Sequence, residues 1–252
     1  MQQIFIFPLQ IIFNPCGAKR FLDGYVNKYY TLRLCKFNKI LFLKIIRKFR
    51  GKRGLKINIA CGDGWHYKDW IGIDYKGAYP YKSKEGKGFD LNWDALSGLP
   101  FENNSVRMIF ISHFLEHLTY NESLRLLKEC YRVMERGGAI RIVVPDLDLY
   151  IERFLEKNEH FFRDEEIVGG KWLGNLTDSF LMNFYSDPGW NNNCHKYAYN
   201  FENLAFRLEQ CGFRKITRSS YKNSQWEEFN DKAFDSSNSK IPLFSLYVEA
   251  KK

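Results

Sequence analysis

Acidic residues are almost missing from the first 56 positions. Between Gly17 and Lys56 stand thirteen lysines and arginines against a single acid, Asp23, and residues 1–16 carry no charged side chain. That arm is +12, more than the whole-chain charge of +9, so residues 57–252 sum to −3. The basic balance belongs to the arm, and the body is slightly acidic. No segment reaches the roughly 20 apolar residues that cross a bilayer. The opening run Ile4 to Phe13 is short, is broken by Pro8 and lacks a preceding positive region, which makes a poor signal peptide and no membrane span. The six cysteines (Cys16, Cys35, Cys61, Cys130, Cys194 and Cys211) form no CxxC pair and no metal-like cluster. They read as free thiols in a reducing cytoplasm, and no metal is expected. There is no internal repeat and no low-complexity tract.

What is present points to an α/β chain. With 252 residues, 45% hydrophobic and 17% aromatic, it can fill the core of one large domain with additions. The stretch that organises the rest is 55–74. An apolar run (Leu55, Ile57, Ile59) enters a small-residue turn, Ala60-Cys61-Gly62-Asp63-Gly64. A second run (Trp70, Ile71, Ile73) ends on Asp74. This reads as strand, tight turn, strand with a terminal carboxylate. Glycine lets backbone pass close to a ligand, and the acid can accept hydrogen bonds from a ribose diol. Only five residues separate Gly64 from Trp70, too few for a crossover helix of about ten or more. A pyrophosphate held on that helix's N-terminus is thereby disfavoured.

Residues 1–54 read as a basic, partly helical extension. Phe37 to Arg50 mixes apolar and basic residues at helical spacing, which suits either a helix packed on the body or one lying on an anionic membrane surface. Gly51 to Gly54 is a hinge. After the 55–74 unit, a polar loop covers 75–87 and Phe89–Ala95 is a short strand with two acids. Val106–Ser112 is apolar on both faces, as a central parallel strand is. Asn121–Glu135 repeats apolar residues at three and four, a helix ended by Gly137-Gly138. Ala139–Val144 is a strand. Residues 147–199 read as an irregular, aromatic insert, of the kind that shapes a site or lid. A helix over Phe201–Cys211, a strand over Phe213–Arg218, a polar loop and a last strand over Phe244–Ala250 complete the chain.

Five segments in this order resemble the class I S-adenosylmethionine-dependent methyltransferases: Ile57–Gly64, Ile73-Asp74, Leu99–Val106, Leu115–His117 and Leu127–Gly138. Within them the chain is most similar to a bacterial branch often encoded beside glycosyltransferases, which shares the short first link, His195-Lys196-Tyr197 and a closing Ser245–Ala250. The resemblance covers about 55–250. It implies a Rossmann-like, seven-stranded, mostly parallel sheet with an antiparallel last strand over residues 55–252, and S-adenosyl-L-methionine as cofactor. It implies that Ala60, Cys61, Gly62 and Gly64 form the turn under the cofactor, that Asp74 takes the ribose hydroxyls, and that Asp94 or Asp90 accepts from the adenine amine while Ala95 or Leu96 donates a backbone N–H. Ser112 and His113 would border cofactor and acceptor. Two positions depart from the pattern. Ala60 stands where glycine is usual, acceptable if its φ is negative, and Asn58 stands where an acid is usual.

Methyl transfer to a hydroxyl needs a base close to the acceptor. His113, at the ligand-binding edge of such a sheet, is the first candidate and His195 the second. His117 reads as structural, and Asp146 as either a pocket acid or a helix cap. The aromatics of the insert suit either sugar stacking or core packing. The expected activity is methylation of a hydroxyl on a glycan or other small cell-envelope precursor, in the cytoplasm or at the inner membrane face through residues 17–56. The alternatives are a nucleic-acid methyltransferase and a non-catalytic cofactor-fold protein that binds a membrane or glycan partner. The acidic body and the absence of an Asn-Pro-Pro-aromatic tetrapeptide speak against nucleic acid.

Overall fold

The computed structural model describes residues 45–62, 67, 69–75, 90–164, 172–185, 195–230 and 243–252. Gly64 and most of the basic arm lie outside them. The chain divides into units 1–48 and 49–252.

The body of the second unit is a seven-stranded sheet in the order β3-β2-β1-β4-β5-β7-β6. Its strands are β1 (Leu55–Ile59), β2 (Trp70–Asp74), β3 (Leu91–Asn92), β4 (Val106–Ser112), β5 (Met134–Pro145), β6 (Arg214–Ser219) and β7 (Ser245–Lys251). Neighbours from β3 to β5 pair parallel, and β7 runs antiparallel to both β5 and β6. The β-branched and aliphatic runs explain the middle of the sheet. Ile57, Ile59, Ile109, Ile111, Ile140, Ile142 and Val144 are all fully buried, as strands covered on both faces require. The order reverses between β1 and β4, which opens a crevice at their carboxyl ends.

Helix α1 (Tyr120–Val133) starts at a capping box of Thr119 with Glu122 and buries Leu126, Leu127, Cys130 and Val133. It stops at Val133, short of the glycines expected to end it. Met134 already pairs with Val106 in the sheet, and the register then shifts by a bulge before Met108 meets Ala139. Gly137 sits in that bulge with φ +80. At Gly138 a Cβ would come within 2.7 Å of the Arg107 carbonyl. The two glycines serve the strand's irregular entry, not the helix end.

The stretch expected to be irregular carries three helices among its described residues, α2 (Leu147–Leu155), α3 (Glu159–Arg163) and α4 (Leu176–Tyr185), while 195–199 is not helical. Its aromatics pack on one another. Tyr150, Phe161, Phe162 and Phe184 join Phe244 in a separate small core, with edge-on ring contacts around Tyr150. Helix α5 (Phe201–Gln210) follows its own capping box at Asn200. Asp146 caps α2 through Asp148 N and lies 3.6 Å from Arg218. Burial raises its pKa above the ordinary carboxylate value. At the antiparallel edge, Arg141 on β5 and Glu249 on β7 are register partners and form a buried ion pair. Arg141 also donates to Ser219 Oγ and the Ser220 carbonyl. Such a pair is costly to break from one side. Among the described residues no helix is long and apolar enough to cross a membrane.

Candidate active site

A cavity of about 430 Å³ lies at the carboxyl ends of β1, β2, β3 and β4, within the size range of small-molecule sites. Its β1–β3 side is walled by Ile59, Ala60, Asp74, Tyr75, Trp93, Asp94 and Ala95; its β4 side by His113, Phe114, His117, Leu118 and Lys196.

Asp74 is held by its own turn. Its Oδ2 accepts from Gly62 N at 2.7 Å and its Oδ1 from Tyr75 N at 2.7 Å. Each carboxylate oxygen keeps a second lone pair, the capacity a vicinal diol requires. Gly62 has φ +75, a conformation that brings its N–H back to Asp74 at no steric cost. Ala60 also takes a positive φ, +56. The condition of a negative φ, under which alanine is acceptable, is not met: at the end of β1 Cys61 N donates to the Ile73 carbonyl at 3.2 Å, and the turn closes on that bond. An alanine in this region costs about 1–2 kcal/mol.

The two acids near β3 are placed differently. Asp94 lines the cavity and caps the single turn Ala95–Ser97, accepting from Leu96 N at 2.9 Å and Ser97 Oγ at 3.1 Å. Leu96 N is therefore committed to Asp94, and Ala95 also lines that wall. Asp90 is outside the cavity wall, and its carboxylate accepts from Gly72 N at 2.7 Å, inside the sheet. Cys61 and Ser112 likewise flank the cavity without forming its wall.

On the other side, β4 ends at Ser112 and the chain turns through His113 at φ +48. A single 3-10 turn, Leu115–His117, follows. Glu116 lies on this turn, three residues beyond His113. His113 Nδ1 lies 3.3 Å from Glu116 Oε1, and its Nε2 is 3.0 Å from Ser245 Oγ at the start of β7. A carboxylate facing Nδ1 keeps the proton there, so Nε2 is the basic nitrogen and accepts from the Ser245 hydroxyl. Glu116 is 2% exposed. Its backbone carbonyl accepts from Lys196 N and Tyr197 N at 2.7 and 3.1 Å, which draws the 195–197 segment under the turn.

His195 therefore stands behind the cavity wall. Its ring meets that of His117 at 4.9 Å, and its Nδ1 bonds to the Asn183 carbonyl at 2.6 Å. Burial pulls its pKa below the ordinary value, against the opposing charge of Glu116. His117 lines the cavity although its sequence context reads as structural. The signals that could have raised it are its position one turn beyond His113 and the buried acid between them. Glu116, Lys196 and Ser245 were likewise missed as site residues, since they meet only through the sheet order. Cys61, Cys130 and Cys211 form no disulfide, and burial drives Cys130 well above the ordinary thiol range. None of the insert's described aromatics lines this cavity.

Residues 57–142 match the family model of a methyltransferase domain, a span that runs from β1 into β5 and carries most of the cavity. A search of curated proteins finds no match. Among solved structures the chain is similar to a SAM-dependent methyltransferase from Archaeoglobus fulgidus at 24% identity, covering 89% of this chain and all of that one with a TM-score of 0.46. It is also similar to a SAM-dependent methyltransferase from Thermotoga maritima, described as a possible histamine N-methyltransferase, at 15% identity over 92% and 97% of the two chains with a TM-score of 0.44. A third, from Methanosarcina mazei, shares 18% identity over 82% and 96% with a TM-score of 0.44. The domain match covers the pocket-bearing strands β1 to β5, so the chain carries a methyltransferase domain across residues 57–142.

Proposed function

We propose that the enzyme methylates a hydroxyl of a small polar acceptor, a glycan or another cell-envelope precursor, with His113 as the base. The observation that carries the reading is the clamped imidazole: Glu116 at Nδ1, Ser245 at Nε2, and the ring 25% exposed on the cavity side of β4.

The cavity suits the cofactor on its β1–β3 side. Asp74 would hold the ribose hydroxyls with the lone pairs its turn leaves over. Asp94 would accept from the adenine amine and Ala95 would donate to the ring, with Trp93 as an apolar wall. Ala60, Cys61 and Gly62 would pass beneath the methionine portion, and Gly64 is assigned there from sequence alone. Bound in this way, S-adenosylmethionine would supply a methyl group on its sulfonium sulfur for transfer to the acceptor oxygen, the S–C electron pair staying on sulfur as the neutral thioether leaves. The chain's own work is to bring the acceptor oxygen in line and to take its proton on His113 Nε2, with the Ser245 hydroxyl giving way. Glu116 then steadies the imidazolium. A positioned base of this kind contributes about 10²–10⁴-fold.

The acidic body, −3 over residues 57–252, supports a neutral or cationic acceptor over a polyphosphate. Residues 17–56 are assigned to an anionic lipid surface through their +12 charge. Labelled methyl transfer from S-adenosylmethionine to glycan, lipid and RNA fractions tests the acceptor. Label in glycan or lipid precursors is the expected result, and label in RNA alone overturns it. Removal of residues 1–50 should leave cofactor affinity intact and weaken binding to anionic vesicles; unchanged vesicle binding removes the surface role.

A further inference from the structure

Two side-chain atoms on the 3-10 turn are buried without a hydrogen-bond partner among the described residues, Glu116 Oε2 and His117 Nδ1. Each such atom costs about 1–3 kcal/mol when left alone. Two side by side in an otherwise well-bonded turn call for a further ligand. The backbone brings a third group to the same place. Glu116 O anchors Lys196 N and Tyr197 N, and the residue before them is His195. The ligand atoms of Glu116, His117 and His195 all lie within 4.8 Å of one another. Because a backbone carbonyl can only accept, His195 Nδ1 carries the proton toward Asn183, and Nε2 is its lone-pair nitrogen.

We propose that Glu116, His117 and His195 bind a divalent transition cation of the Zn²⁺ class at the β4 side of the pocket. Two imidazoles and one carboxylate form a borderline donor set that suits zinc and its neighbours, whereas magnesium and calcium prefer oxygen alone. At about 2.1 Å from the ion, tetrahedral ligand atoms stand about 3.4 Å apart, so binding draws the three side chains inward. Three protein ligands leave a coordination position open. His117 is itself cavity wall, which makes that position reachable from the cavity. An ion there would bind the acceptor oxygen and lower its pKa, while Glu116 joins it to the base through Oε1 and His113 Nδ1. This last role rests on the methyl-transfer reading above; the cation site does not. The absence of cysteine clusters gave no hint of it, since 77 residues separate His117 from His195.

The test uses the full chain stripped with a chelator and titrated with Co²⁺, read by its d–d absorption, with Zn²⁺ as competitor and S-adenosylmethionine affinity measured separately by calorimetry. The expected result is one Co²⁺ per chain, displaced by Zn²⁺. Affinity should fall at least about 100-fold in His195→Ala and in the isosteric Glu116→Gln, with cofactor affinity unchanged in both. No cobalt spectrum at millimolar Co²⁺ together with no thermal shift in Zn²⁺ overturns the proposal and leaves a bridging water in the site. Thiolate-to-cobalt charge-transfer bands, or wild-type affinity in both variants, place the ion elsewhere and overturn it too. Cobalt binding without cofactor binding would remove the methyl-transfer reading and leave the cation site standing.

Discussion

On the β1–β3 side of the pocket, polar groups find partners close by in sequence. Asp74 accepts from residues twelve positions before it and one after it, and Asp94 from residues two and three after it. On the β4 side Glu116 stands three residues from His113, but the other partners are remote. His113 reaches Ser245, 132 residues away, and Glu116 is braced by 196 and 197 while one of its oxygens stays unpartnered. A carboxylate set by its own turn is preorganised before the rest of the chain is in place. A histidine clamped between β4 and β7 is right only when the whole sheet is. The first arrangement suits recognition of a cofactor with a fixed shape, the second a reacting group that must be held and then allowed to change charge.

The largest expected effect lies on the β4 side. His113→Ala should lower turnover by about 10²–10⁴-fold, the usual worth of a general base. Cofactor affinity by calorimetry should hardly change. Wild-type turnover in this variant would move the base elsewhere, to His195 or to the acceptor itself. Equal damage to cofactor affinity would erase the division between the two sides.

Asp74→Ala should do the reverse. Two charge-assisted hydrogen bonds to ribose are together worth about 3 kcal/mol, so S-adenosylmethionine affinity should fall about 100-fold. Affinity within a factor of three of wild type would mean that the diol is held by another group.

These two sides were unequally legible. The turn and the acid of the β1–β3 side sit within twenty residues and follow strand periodicity, so the spacing of Ala60, Gly62 and Asp74 was enough to bring them to one sheet edge. Asp90 and Asp94 were indistinguishable by sequence because both flank a two-residue strand. Only the fold shows one tied to Gly72 inside the sheet and the other on the wall. The β4 side assembles 113, 116 and 117 with 195 and 245, and no local pattern joins the first three to the last two. The helical aromatic insert was misread for a related reason: its period is obscured by aromatics that serve a small core of their own.

Ser245→Ala probes how far clamping matters. It removes one neutral hydrogen bond, worth about 1 kcal/mol, and frees the ring at Nε2. Turnover should fall about fivefold, with cofactor affinity unchanged and Ser245→Thr restoring most of the loss. A variant indistinguishable from wild type, or one that Thr fails to rescue, would show that Glu116 alone orients the imidazole.

The smallest effect separates strain from function on the two sides. Ala60 and His113 both hold positive φ, at the ends of adjacent strands. His113's strain accompanies a clamped side chain that has work to do. Ala60 presents only a methyl to the cavity, so its strain has no such return. Relief of about 1–2 kcal/mol at φ +56, set against about 0.4–1 kcal/mol of added unfolded-state freedom for glycine, leaves Ala60→Gly more stable by about 0.5–1 kcal/mol. For a domain of this size that raises Tm by about 1–4 °C in a thermal melt. Cofactor affinity should hold or rise slightly, because a methyl leaves the wall. A lower Tm would mean that the alanine methyl makes a packing contact worth more than its backbone strain, and that the β1 turn, like the β4 turn, keeps its strain for a reason.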